Sequence, residues 1–157
     1  MSSLRGYFAA LDERSFFRHR NDFQSDLKHK MNTRDMPRGA RDLLRKLLAC
    51  GCEIWLIGSR ANGTARMNSD WDFFVFGNAD VYEQLGTHLP MENIDLLVVT
   101  NGDEFASPWP READGAIKAG SLTAWKWQQL TSDRASYEAT KWPDHWGISQ
   151  SALKIAK

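Results

Sequence analysis

The sequence predicts an α/β fold, carried by one domain over residues 37–157 with a helical extension over 1–36 ahead of it. Three observations support this. Helix-like and strand-like patterns alternate from residue 38 onward, the order that builds a sheet with helices against it. Short apolar runs closed by glycine, "CEIWLIG" and "WDFFVFG", read as buried strands. A length of 157 residues with 42 % hydrophobic and 25 % charged side chains suits a single globular domain with a sizeable core.

The extension is polar and rich in Arg, Lys and Asp, with aromatics at Tyr7, Phe8, Phe16, Phe17 and Phe23, and it suggests helices near 3–12 and 20–31. Interspersed acids make "RHRNDFQSDLKHK" a solvated helix face rather than a nucleic-acid arm. A helix follows at about 38–50. Pro37 suits its first turn, Leu43, Leu44, Leu47 and Leu48 recur at helical spacing, and Gly51 stops it. Strands are expected at 52–58, 71–77 and 93–100, the last rich in β-branched residues, with a short helix at 79–89 between the second and third. Residues 111–120 read as helix ending at Gly120, and 121–130 as an edge-like strand that puts Trp125 and Trp127 on one face. The remainder carries no clear pattern.

Charge and cysteine usage narrow the function classes. Twenty basic and twenty acidic residues give zero net charge, so no whole-molecule attraction to nucleic acid or an anionic membrane exists. No apolar run spans a bilayer and the N-terminus lacks a signal-peptide core, so a cytoplasmic protein is expected. Cys50 and Cys52 have no second pair with which to bind zinc, and read as free thiols at a helix-to-strand junction.

The chemistry concentrates in "GSRANGTARMNSDWDFFVF", residues 58–76. Asp70 and Asp72 flank Trp71 at the front of a strand, so the two carboxylates share a face and Trp71 points to the other. Carboxylates side by side repel unless a cation takes oxygen ligands from both, which is how Mg²⁺ is held together with substrate phosphates. Asp95, bracketed by Ile94 and Leu96 in the next strand, reaches the same place if the strands are neighbours. Three carboxylates can hold two metal ions about 4 Å apart across a phosphoryl displacement. Upstream, Gly58 and Ser59 form a turn after a strand. Its backbone N–H groups, the Ser hydroxyl and a helix starting near Ser59 or Arg60 make an anion site. Arg60 and Arg66 are candidate phosphate partners, and Gly63 permits close backbone approach. The segment has neither the Gly-Lys-Ser/Thr ending of a P-loop nor a dinucleotide fingerprint.

This stretch resembles the signature of the DNA polymerase beta-type nucleotidyltransferase superfamily, and most of all its small minimal nucleotidyltransferase members. The shared pattern is Gly-Ser, an Arg-Ala and Gly-containing turn, Ser69 before the first acid, the paired acids, and a third acid on a later strand. The resemblance covers residues 40–120 or so, with Trp71 standing where a small aliphatic is usual. It implies a mixed sheet with helices packed mainly on one face, and Mg²⁺-dependent transfer of a nucleoside monophosphate, AMP from ATP above all, by two metal ions, with Mn²⁺ as a substitute. By it, Asp70, Asp72 and Asp95 are catalytic and metal-binding, Asp95 helping to activate an acceptor hydroxyl. Gly58, Ser59, Arg60, Arg66 and Ser69 bind nucleotide.

The expected partners are therefore an NTP and a hydroxyl acceptor: a protein side chain, as in toxin–antitoxin pairs, a small molecule, or an RNA end. Short length and neutral charge weigh against long nucleic acids. The alternative is a non-catalytic nucleotide- or partner-binding module, an antitoxin or regulator on the same fold, against which an intact acid trio argues. His88 reads as a surface residue, His145 as a loop residue, and Trp109, Trp125, Trp127 and Trp142 as packing, with Trp125 and Trp127 offering an aromatic surface to a base or partner.

Overall fold

A computed structural model describes residues 35–138 and 148–155, all within the compact unit Thr33–Lys157. The expected helices of the extension, with His145 and Trp142, lie outside the described residues.

Helix α1 (Arg38–Ala49) buries Ala40, Leu43, Leu44 and Leu47, the apolar stripe read from the sequence. Pro37 sits at its N-cap, and the chain leaves through Cys50 and Gly51, whose φ of 87° is left-handed. β1 (Glu53–Ile57) follows, then the single-turn helix α2 (Gly58–Asn62), closed by Gly63 in the left-handed region at φ 72°. β2 (Trp71–Phe76) leads into α3 (Ala79–Gly86), which Asn78 caps by accepting the Val81 N–H at 3.0 Å. β3 (Ile94–Val99), β4 (Glu104–Ala106), β5 (Ala119–Ser121), β6 (Gln128–Gln129), β7 (Arg134–Tyr137) and β8 (Gln150–Lys154) complete the order.

These strands form one mixed sheet, ordered β5-β4-β3-β2-β1-β8-β7-β6. Only β2 and β3 run parallel, α3 crossing between them; all other pairs are antiparallel. The registers define two faces. One carries Trp55, Ile57, Phe74, Leu97, Val99, Phe105, Ala135, Tyr137 and Ala152, a single buried cluster. The other carries Ile54, Leu56, Phe73, Val75, Leu96 and Val98, each at most 1 % exposed. Central strands buried on both faces explain the unbroken apolar runs in the sequence. No helix among the described residues is long and apolar enough to cross a membrane.

Two expectations are corrected. Residues 111–120 are not a helix: Arg111 pairs with Asp114, Gly115 takes φ 68°, and the chain then pairs with β4 as β5. A left-handed glycine ends any helix there, and the segment has no apolar stripe to reward one. Residues 121–130 are not a continuous strand. The chain turns through 122–126, with Lys126 at φ 49°, and only Gln128–Gln129 pair, with β7. Trp125 and Trp127 are therefore not a flat strand face. They fold onto the aromatic cluster, Trp125 stacked on Tyr137 at 5.7 Å and Trp127 edge-on to Phe74 at 5.5 Å. Trp109 is buried as expected, its indole N–H donating to the carbonyls of Leu85 and His88 at 3.1 and 3.0 Å.

Candidate active site

The site begins where β1 ends. Asp72 is the register partner of Ile57 on β1 and of Asp95 on β3. Side chains at one register position of adjacent strands lie on the same face, so Asp72 and Asp95 stand side by side. Asp72 and Asp95 both sit at the entry ends of the parallel strands, beside the exit end of β1. Asp70 precedes β2 by one residue and is exposed; strand alternation carried back one step puts it on the side of Asp72. Trp71 faces the other way, 4 % exposed and stacked on Phe73.

Gly58 is shaped for this neighbour. Its φ is 72°, and a Cβ there would run into the Asp72 carboxylate and stand 3.2 Å from Cγ. Glycine is required twice over, for backbone conformation and for room. The Gly58 N–H donates to the Tyr137 hydroxyl at 2.8 Å. Burial pushes that hydroxyl's pKa up to about 12, the Gly58 hydrogen bond pulls against the shift, and the Asp72 charge adds to it. Asn62 ties the turn to β8: its amide donates to the Gly58 carbonyl at 2.8 Å and to Gln150 at 3.0 Å, and accepts the Ser151 N–H at 2.8 Å.

The remaining residues read as nucleotide-binding are placed as follows. Ser59 follows Gly58 in the first turn of α2, and its carbonyl accepts the Thr64 N–H at 2.9 Å. The Arg60 guanidinium donates to the carbonyls of Ser69 and Asp70 at 2.6 and 3.2 Å and lies 4.1 Å over the Trp71 ring. It clamps the segment that carries the first acid. The Ser69 hydroxyl accepts the Arg66 N–H at 2.8 Å and closes the loop, at whose surface Arg66 and Met67 are exposed.

Two further residues stand at the site without a mark in the sequence. Tyr137 is one. Lys118 is the other: its ammonium donates to Asp95 Oδ2, the two side chains only 20 % and 30 % exposed. No local signal marks either residue, because both are brought to the site by pairing between distant strands. Among the described residues, no three His, Cys, Asp or Glu side chains gather closely enough to hold a metal ion. The donor chemistry of Asp70 and Asp72 suits one hard divalent cation, whereas Asp95 is engaged by Lys118.

Among curated proteins and among solved structures no match was found. The family profile described as "Nucleotidyltransferase domain" matches residues 38–143, which spans the Gly-Ser turn, all three acids and Lys118. With this match, and with Asp72 and Asp95 in register beside the glycine turn, the chain belongs to the nucleotidyltransferase domain family.

Proposed function

We propose that this domain transfers a nucleoside monophosphate, AMP from ATP, to a hydroxyl acceptor. The observation that carries the reading is the juxtaposition of Asp72 with Asp95 and with the cradle that Gly58 leaves for the Asp72 carboxylate. Asp70 and Asp72 would hold a divalent cation, Mg²⁺ or Mn²⁺. Bound there, it would offset charge on the α-phosphate. The Ser59 hydroxyl and the Arg66 side chain would meet the triphosphate. Arg60, spent on the Ser69 and Asp70 carbonyls, would act by positioning Asp70. Gly58, its N–H given to Tyr137, would supply shape rather than a phosphate donor.

In the reaction the acceptor oxygen bonds to the α-phosphorus as the bond to the bridging oxygen of pyrophosphate breaks. The hydroxyl proton passes to Asp95. Zero net charge weighs against a long nucleic acid as acceptor, and by analogy with the family the hydroxyl would be that of a protein, such as a toxin–antitoxin partner in the cytoplasm.

A second reading, a binding module without turnover, is favoured by one observation: Asp95 is already paired with Lys118. Incubation with Mg²⁺ and each α-labelled NTP, with cell extract and without, separates the two. Label transferred to protein, RNA or small molecule, and lost in Asp95→Asn, supports the enzyme. Nucleotide binding without transfer, unchanged in Asp95→Asn, supports the module.

A further inference from the structure

We propose that Lys118 is a phosphate-contacting residue, its ammonium held by Asp95 at the place where a second divalent cation would bridge Asp72 and Asp95. The inference rests on the nucleotidyl-transfer reading and specifies the cations of that site.

Three observations and the repulsion between like charges lead to it. Asp72 and Asp95 share a register position and a face, so a cation between them would need oxygens from both. One of those oxygens, Asp95 Oδ2, already receives the Lys118 ammonium. A divalent ion bridging the same pair would stand within a few ångströms of that ammonium, and like charges repel strongly in a partly desolvated site. The gathered three-acid group that two ions require is not formed among the described residues.

The lysine is also rooted rather than loose. Its carbonyl accepts the N–H of buried Ser107 at 2.7 Å, and the next residues pair with β4, with Gly120 opposite Phe105. Residue 118 lies two positions before Gly120, so alternation places it on the face that carries Phe105, Val99 and, further along β3, Asp95. Side-chain exposures of 20 % and 30 % distinguish the pair from an exposed surface contact such as Arg38–Asp42, at 88 % and 47 %. An ammonium has three donors, and one bond to Asp95 leaves two for phosphate oxygens. Lysine meets phosphate as a compact point charge, the role a bridging cation would otherwise fill.

The test is equilibrium dialysis of the full chain with Mn²⁺ and α,β-methylene ATP, counting ions and nucleotide retained. The wild type is expected to retain one Mn²⁺ per bound analogue. Lys118→Met, which frees Asp95, is expected to weaken analogue binding about tenfold and to raise the ratio to two. Lys118→Arg keeps the charge and is expected to stay within about threefold of the wild type with one Mn²⁺, which preserves the test if the methionine variant does not fold. Two Mn²⁺ per analogue in the wild type, or unchanged analogue affinity in Lys118→Met, overturns the proposal while leaving nucleotidyl transfer intact. Failure of the wild type to retain any analogue overturns the transfer reading and this inference with it.

Discussion

Gly58 concentrates the demands of the site in one residue. Its left-handed φ disfavours any side chain, and the Asp72 carboxylate occupies the space a Cβ would take. Gly58→Ala is therefore expected to lose about 1–2 kcal/mol in urea unfolding, the order of the left-handed penalty for an L-residue. Because it also displaces Asp72, nucleotidyl transfer should fall about 100-fold, the scale of a small misplacement at a reacting centre. A stability loss with transfer intact would show that Asp72 does not need this cradle. Glu53 offers a different residue-scale test, away from the acids. Burial works to raise its carboxyl pKa, but hydrogen bonds from Lys154 and Trp55 and the Lys154 charge bring it below the usual value. A carboxylate with a lowered native pKa stabilises the fold fully above the unfolded value, about 4.3, and loses that contribution as pH falls through its native value. Glu53→Gln should then flatten the decline in stability below about pH 4.3, and an unchanged acid limb in pH-dependent melting would count against it. The effect is small, because the two side chains are 31 % and 39 % solvent-exposed and the pair is screened.

At the scale of elements, α2 is one turn long and cannot be stable by itself. It is held by Asn62, whose side chain makes three hydrogen bonds, one to its own helix and two to β8. Asn62→Ala leaves those partners unsatisfied, and a loss of about 2–3 kcal/mol is expected in chemical denaturation. Protease cleavage within the loop around Met67, 99 % exposed, should become faster. The same elements explain what could be read beforehand. α1, β1, β2 and β3 were legible because each is specified locally, by a leucine stripe, by apolar runs, and by Gly51 as a stop. The acids and the Gly-Ser turn were legible for the same reason, since Asp70, Asp72 and Gly58 lie in one short stretch. β4, β5 and β6 hold two or three residues each, and such strands exist only because a neighbour's edge orders them. "READGAIKAG" has helix-forming residues at Arg111, Glu112, Ala113, Ala116, Lys118 and Ala119, but edge pairing and Gly115 override that weak preference. β8 depends on a partner about a hundred residues earlier, and with it came Gln150 and, through β7, Tyr137. Lys118 was hidden in the same way, as one lysine among many until β5 docks.

Across the described residues as a whole, the sheet is one in which late strands complete an early site. β8 lies between β1 and β7, so the chain's last described segment joins β7 and β6 to the strands that carry the acids. It also supplies Gln150 and the Ser151 N–H to α2, and Ala152 to the cluster around Phe74 and Tyr137. Removing residues 148–157 would expose the edge of β1, strand Tyr137 and its stacking partner Trp125, and free the Gly58 turn on one side. β1 carries Ile54, Trp55 and Leu56 at 0–1 % exposure, and water reaching such side chains costs roughly 1.5–3 kcal/mol apiece. A marginally stable domain of this size does not absorb that loss. The truncated chain is expected to give no cooperative thermal transition and no analogue binding, with Trp fluorescence shifted toward that of exposed indole. If it instead melts cooperatively and still retains α,β-methylene ATP, the β5-β4-β3-β2-β1 part of the sheet with its acids does not need β8. Strand β8, with β7 and β6 beyond it, would then serve the acceptor rather than the fold.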